Sequence, residues 1–342
     1  MKPVVRYLFL PSLLLAAIVA GGSLYLISYS LRPDRARSGE EESYDYMYAE
    51  YPFLRPWVDS LRRADALRDT VIVGPHGRRL HAIYAAAPRP TKKTAVIVHG
   101  YTDNAIRMLM IGYLYNHDLG YNILLPDLAY HGRSEGRAVG MGWPDRLDVL
   151  RWTEVADSLF GGDTQQVVHG ISMGAATTMM LSGEQLPPYV KCFVEDCGYT
   201  SVWDQFAKEL KEQFHLPPFP LLHAASGLNA LENGWNFREA SALEQVRRST
   251  LPMLFIHGDA DKYVPTEMVY ELYAAKPGEK ELWVVPGAAH AVSYRDNREE
   301  YTRRVGEFVG RYVRDEESND GSDKGLNDGS GRGADGPDAP AD

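Results

Sequence analysis

The chain has 342 residues, a net charge of −10 and two cysteines, long enough for one large domain and too poor in cysteine for a disulfide-stapled scaffold. Nine carboxylates and two basic groups fall in the last 28 residues, from Asp315 onward, so the remainder is only mildly acidic. No basic stripe is present, which argues against nucleic acid as a partner.

Tyr7 to Leu31 carries no charged residue. As a helix it would extend about 37 Å, enough to cross a hydrocarbon core of about 30 Å. Residues 1–38 are therefore read as a signal anchor, with a transmembrane span at about 7–31 and a short flank. The rival reading is a cleaved signal peptide, with Ala20 to Gly22 as the small-residue cleavage site. The apolar run continues through "SLYLISYSL", which favours the uncleaved anchor. Lys2 and Arg6 precede the span and Arg32, Arg35 and Arg37 follow it, so charge sets the orientation poorly. Most anchors so placed keep the short N-terminus in the cytoplasm, which points to a membrane-bound, exported catalytic domain.

Residues 39–69 comprise a polar juxtamembrane stretch, "GEEESYDYMYAEY", and a helix-compatible segment with Phe53, Trp57, Leu61 and Leu67 available for one face. Two short strands, Thr70–Val73 and Leu80–Ala85, flank the hairpin signal "GPHGRR". From Thr94, apolar runs ("AVIVHG", "YNILLPD", "QVVHGIS", "VKCFVED", "PMLFIHG", "ELWVVPG") alternate with helical candidates at Asp103–Leu119, Pro144–Phe160, Ala175–Glu184, Pro265–Ala275 and Asn297–Val313. Apolar strands without alternation suit a parallel sheet covered on both faces. The fold class is thus α/β, a mostly parallel, doubly wound sheet spanning 70–314.

Between "VEDCGYTS" and "LPMLFIHG" lie about 45 residues where one crossover helix would suffice. "WDQFAKELKEQF" and "LLHAASGLNAL" read as a helical cap over about 203–247. Its Trp203, Phe206, Phe214, Phe219, Leu221 and Trp235 hint at an apolar acyl pocket. Cys192 and Cys197, on one extended run, should fall about 16 Å apart on opposite faces, too far apart for a disulfide. Residues 315–342 lack aromatic and β-branched side chains and read as a disordered acidic tail.

Ligands of open parallel sheets bind at the carboxyl ends of the strands. Ser172, Asp261 and His290 each follow an apolar run, so all converge on one edge. Gly170-Ile171-Ser172-Met173-Gly174 places the serine in a tight strand-to-helix turn where a Cβ two positions away on either side would collide. A serine hydroxyl needs a base to accept its proton, and His290 suits that role. Asp261 would hold the histidine tautomer, with Asp259 as the competing carboxylate. The backbone N–H groups of Met173 and Tyr101 would form the oxyanion hole. His99, His169 and His257 read as structural residues or pocket walls, and His131 as a loop residue. No HExxH, P-loop, GxGxxG after the first strand or Cys/His cluster occurs, so neither metal nor nucleotide cofactor is expected.

The ordered set "VHGYTDN", "GYNILLPDLAYHGRSEG", "HGISMGAATTMML", "FVEDCGYTSV", "FIHGDADKYVP" and "GAAH" resembles the α/β-hydrolase superfamily, and more narrowly its bacterial serine aminopeptidase-like and Bem46-like branch. The family's usual D-x-R-G-H-G-x-S loop reads "DLAYHGRS" here, with Ala129 and Tyr130 at the departing positions. The resemblance implies Ser172 as nucleophile, Asp261 as acid and His290 as base, acting on an ester, thioester or amide. The same triad could serve a peptidase or an acyltransferase. A non-catalytic anchored binding module is the alternative from another class.

Overall fold

The computed structural model describes residues 3–315, with side chains from Pro11 onward except those of Arg35 and Arg37. Met1, Lys2 and the acidic tail beyond Asp315 lie outside the described residues.

Eight strands form one sheet: β1 Arg68–Val73, β2 Arg79–Ala85, β3 Lys93–Val98, β4 Asn122–Pro126, β5 Gln165–Ile171, β6 Val190–Asp196, β7 Met253–Gly258 and β8 Lys280–Val285. Their order is β1-β2-β4-β3-β5-β6-β7-β8. The β1–β2 hairpin is antiparallel and joins β4 antiparallel, whereas β4, β3, β5, β6, β7 and β8 run parallel. After β3 the chain steps to β4 on one side and then to β5 on the other. The switch point therefore lies where β3 and β5 end, with Val98 registered against Gly170, and crevices for ligands form at such points.

Side chains alternate along the strands, so Val96 and Val98 enter one core while Ala95 and Ile97 enter the other. Each parallel strand is thus apolar throughout, as burial on both faces requires. The first core is covered by α5 (Asp145–Leu159), α6 (Met173–Leu181) and the cap, formed by α7 (Val202–Phe214), α8 (Leu221–Asn233) and the short α9 (Ala242–Val246). The second is covered by α2 (Glu40–Glu50), α3 (Arg55–Arg63), α4 (Leu109–Tyr113) and α12 (Arg298–Val309). Two further helices, α10 (Glu267–Ala275) and the single turn α11 (Ser293–Asp296), follow β7 and β8.

Several elements differ from the sequence reading for definable reasons. A single helix over Asp103–Leu119 does not form. Asn104 Oδ1 accepts hydrogen bonds from the N–H groups of Ile106 and Arg107, and Asp103 Oδ1 accepts one from Asn104 N–H, so side chains capture the donors a helix would use. Only α4 and one wider π-type turn, Leu114–Asp118, remain. Conversely, the polar 39–51 stretch folds as α2, with Tyr44, Met47 and Tyr48 buried at helical spacing and Glu40, Glu41 and Glu42 in its first turn, where carboxylates favour the helix dipole. Cys192 and Cys197 do not point to opposite faces; both enter the second core. Cys197 has φ 54°, which turns the chain off the strand and breaks the alternation. Both thiols are free and buried.

The N-terminal helix α1 spans Pro3–Leu31. Its stretch Pro11–Leu31 is long and apolar enough to cross a membrane by length and composition. Leu13, Leu14, Leu15 and Ile18 are exposed, whereas Ile27 and Leu31 are buried in the first core. The carbonyls of its last turn, which have no partner within a helix, accept from the rest of the fold: Tyr101 Oη–H donates to Ser30 O at 2.8 Å and Val139 N–H to Leu31 O at 2.8 Å.

Candidate active site

Ser172 stands between β5 and α6 with φ 57° and ψ −118°, a left-handed conformation that a non-glycine residue adopts only when its surroundings enforce it. Here the enforcement is visible. A Cβ on Gly170 would lie 2.1 Å from Gly174 O, and one on Gly174 would lie 2.1 Å from Val98 O. Ser172 N–H is tied to Asp196 O at 2.8 Å. Gly174→Ala must force α6 away from β3, and we expect it to lower folding stability by about 3 kcal/mol, read as a drop in the urea midpoint. An unchanged midpoint would mean that the close approach is not required.

Ser172, His290 and Asp261 are brought together. Ser172 Oγ lies 2.8 Å from His290 Nε2, and His290 Nδ1 lies 2.7 Å from Asp261 Oδ2. Asp261 Oδ1 accepts from the N–H groups of Tyr263 and Val264, both at 2.9 Å. Burial alone would raise the Asp261 carboxyl, but hydrogen bonds from His257 and His290 and the backbone N–H of Val264 hold it well below the usual carboxylate range. An ionised Asp261 keeps the proton of His290 on Nδ1 and leaves Nε2 free to accept from Ser172. The ring of Tyr263 packs edge-on against His290, with centroids 4.9 Å apart.

Asp259, the competing carboxylate, points elsewhere. Its Oδ1 accepts from Gly287 N–H at 2.6 Å and so braces the loop that carries His290. His257 has more to do than a pocket wall would. Its Nε2 donates to Val264 O at 2.9 Å and lies 3.4 Å from Asp261 Oδ2, fixing the turn that presents Asp261. The sequence signal was available, a histidine before a glycine at the end of β7, but that pattern also describes His99 and His169.

His99 Nδ1–H donates to Gly100 O at 2.8 Å and Nε2 accepts from Leu128 N–H at 2.9 Å, locking the exits of β3 and β4 together. The ring of His131 meets His99 edge-on at 4.8 Å. His169 lies deeper, between Tyr115 Oη at 3.1 Å and Tyr301 Oη at 3.0 Å, and burial lowers it to about 3. Asp127, from the "DLAYHGRS" loop, accepts from His81 Nδ1–H and from the N–H groups of Ala105 and Arg133, which pins that loop to the sheet.

The two expected oxyanion donors flank the serine. Met173 opens α6, where its N–H has no intrahelical acceptor. A Cβ on Gly100 would lie 3.4 Å from Ser172 Cβ, so the chain reaches Tyr101 directly beside Ser172. The Tyr101 side chain has a separate partner: its hydroxyl donates to Ser30 O of α1 at 2.8 Å.

Among the described residues, one grouping has metal-ligand spacing, Cys197, Asp261 and His290. Asp261 and His290 already engage each other, and burial pushes the Cys197 thiol far above its ordinary range. That donor set is thus used up without an ion. Beneath it, burial raises the Glu195 carboxyl to about 8, against smaller opposing effects from His257 and Gly198 N–H. An unfolded glutamate titrates near about 4.3, so the folded state holds a proton that the unfolded state releases. Stability from this group is full below about pH 4 and is lost as pH rises towards 8. In Glu195→Gln, the urea midpoint should therefore fall less between about pH 5 and about pH 9 than in the wild type. An equal fall in both proteins would refute the buried protonated state.

A pocket of about 840 Å³ opens above Ser172 and His290. Cap residues Phe206, Leu210, Phe214 and Leu222 line one side, and the last turns of α1, from Tyr25 to Ser30, line another, whereas Trp203, Phe219, Leu221 and Trp235, expected in an acyl pocket, lie outside the lining.

A parallel sheet with its switch point at β5, a strained serine there, and a histidine and carboxylate returned from β8 and β7 define an α/β hydrolase. The model of the Prolyl oligopeptidase family, Peptidase_S9, matches residues 130–316; the chain belongs to this family. It is similar to the uncharacterized protein YqkD of Bacillus subtilis (strain 168), with 32% identity over 226 residues, 66% of this chain and 74% of that protein. Among solved structures it is similar to the esterase Pf2001 of Pyrococcus furiosus, with a TM-score of 0.60 and 24% identity over 74% of this chain and 96% of that one. The α/β hydrolase GrgF from Penicillium sp. sh18 aligns with a TM-score of 0.54 and 16% identity over 72% of this chain and 99% of that one. At these identities the structural matches speak to fold alone.

Proposed function

We propose that the protein is a membrane-anchored serine hydrolase that cleaves an ester or thioester through an acyl-enzyme on Ser172. The observation that carries this reading is the unbroken hydrogen-bond chain from Ser172 Oγ through His290 to Asp261 at the base of the pocket. Ser172 Oγ attacks the acyl carbon while His290 Nε2 takes its proton, and the N–H groups of Met173 and Tyr101 receive the developing oxyanion. The imidazolium returns that proton to the leaving alcohol or thiol. Water then attacks the acyl-enzyme, passes a proton to His290, and the acid leaves as Ser172 regains its hydrogen. The apolar lining from Phe206, Leu210, Phe214 and Leu222 supports an aliphatic acyl group. The span Pro11–Leu31 supports anchoring by α1, and the short segment ahead of it supports the usual orientation of such anchors, with the catalytic domain exported.

The family match supports a second reading, cleavage of a peptide amide by the same triad. A fluorophosphonate probe tests the shared nucleophile: the wild type should label and Ser172→Ala should not. No labelling of the wild type, or labelling that persists in the variant, would defeat both readings. Acyl esters of increasing chain length, run beside aminoacyl amides, separate esterase from peptidase.

A further inference from the structure

The helix with the composition of a membrane span is also a wall of the catalytic pocket. Tyr25, Leu26, Ile27 and Ser28 line the cavity over Ser172, and all four belong to the apolar stretch Pro11–Leu31. No linker separates them from the catalytic body. Ser23 Oγ–H donates to Leu221 O at 3.0 Å, Tyr29 Oη–H donates to Gln213 Oε1 at 3.0 Å, and Tyr101 fixes Ser30. A stretch of this length spans a bilayer core of about 30 Å. With α1 inserted, the pocket opens at the boundary between hydrocarbon and water, not tens of ångströms above it.

The cap carries a matching surface. An open groove of about 740 Å³ runs between Leu15, Ala16 and Val19 of α1 and Ala224, Leu228 and Leu231 of α8; no charged residue lines it. Leu231 is 85% exposed and Phe219, just ahead of α8, is 71% exposed. Large apolar side chains presented beside a lipid-facing helix would bury favourably in acyl chains. The groove and the catalytic pocket share α1 and α8 as walls.

On the serine-hydrolase reading above, we propose that the substrate is an ester-linked lipid resident in the bilayer, whose acyl chain reaches Ser172 from the membrane side along α1 and α8. The step is acyl transfer to Ser172 Oγ followed by hydrolysis, releasing a fatty acid and the alcohol of the headgroup portion. A water-soluble short ester needs only the part of the pocket next to Ser172 and has no need of the groove.

The test uses the full chain reconstituted in phosphatidylcholine vesicles. Two probes are compared: 4-methylumbelliferyl palmitate dissolved in the vesicles, and 4-methylumbelliferyl butyrate in the surrounding water. Leu231→Asp and Phe219→Asp, both at exposed positions remote from the triad, should each lower palmitate turnover about tenfold, the scale of one leucine's transfer into hydrocarbon. Butyrate turnover and fluorophosphonate labelling of Ser172 should stay at the wild-type level. Diluting the palmitate ester with more phosphatidylcholine at constant bulk concentration should slow its hydrolysis. Butyrate cleavage without palmitate cleavage, equal loss of both activities in the aspartate variants, or no effect of surface dilution would each overturn bilayer delivery while leaving the hydrolase reading intact. Absence of both activities together with absence of labelling would overturn the hydrolase reading itself.

Discussion

Replacing Ser172 with alanine is expected to lower kcat for a cleavable ester by about 10⁶-fold, the scale at which serine nucleophiles fail when removed. The fold should survive. Alanine carries the same Cβ into the φ 57° turn, and the glycines that make room for that turn, Gly170 and Gly174, are untouched. What disappears is the hydroxyl oxygen that lies 2.8 Å from His290 Nε2. Single-turnover measurement with an activated ester distinguishes this from a defect in release, because the variant should show no acylation burst. Retention of activity within about tenfold of wild type would remove Ser172 from the mechanism.

Asp261→Asn is expected to cost about 10⁴-fold in kcat with little change in KM. Asp261 Oδ1 accepts two backbone N–H groups, from Tyr263 and Val264, so asparagine will keep its carbonyl oxygen there. Its amide N–H then faces His290 Nδ1. That contact reverses the imidazole tautomer: Nδ1 becomes the acceptor and Nε2 carries the hydrogen, leaving no base for Ser172. Because the residues act as one unit, Ser172→Ala combined with Asp261→Asn should be no slower than Ser172→Ala alone. Asp259→Asn is the control. An amide oxygen can still accept from Gly287 N–H, and activity should remain near that of the wild type. Comparable losses from Asp259→Asn and Asp261→Asn would exchange their assignments.

The meeting of Ser172, Asp261 and His290 was legible in the sequence because a parallel sheet leaves little freedom. Residues that follow apolar strands must collect at the carboxyl edge, and the glycines at 170 and 174 marked where one strand turns sharply. Asp261 over Asp259 was legible as a ranking, but what settles the geometry is the pair of backbone donors that the chain supplies at Tyr263 and Val264. His257 was not singled out, since its contact with the Asp261 turn depends on a tertiary path that local pattern does not encode. The break at Asp103–Asn104 escaped a periodicity argument because side-chain hydrogen bonds, not hydropathy, stop that helix. The position of Cys197 escaped because its own positive φ, just past the end of β6, takes its side chain out of the strand's alternation. Least legible was the division of α1. An apolar residue facing lipid and one facing a protein core look the same in sequence, so nothing in "SLYLISYSL" announced that Ile27 and Leu31 would join the core that holds Val98 and Met173.

That packing means α1 is not a detachable tether. Producing the catalytic half alone, by starting the chain at Arg32, would withdraw Ile27 and Leu31 from the core and leave the Val139 N–H and the Tyr101 hydroxyl without the acceptors they use now. It would also remove one side of the cavity above Ser172. A shortened protein of that kind would owe its weakness to missing architecture, and its low turnover would say nothing about the competence of the catalytic residues.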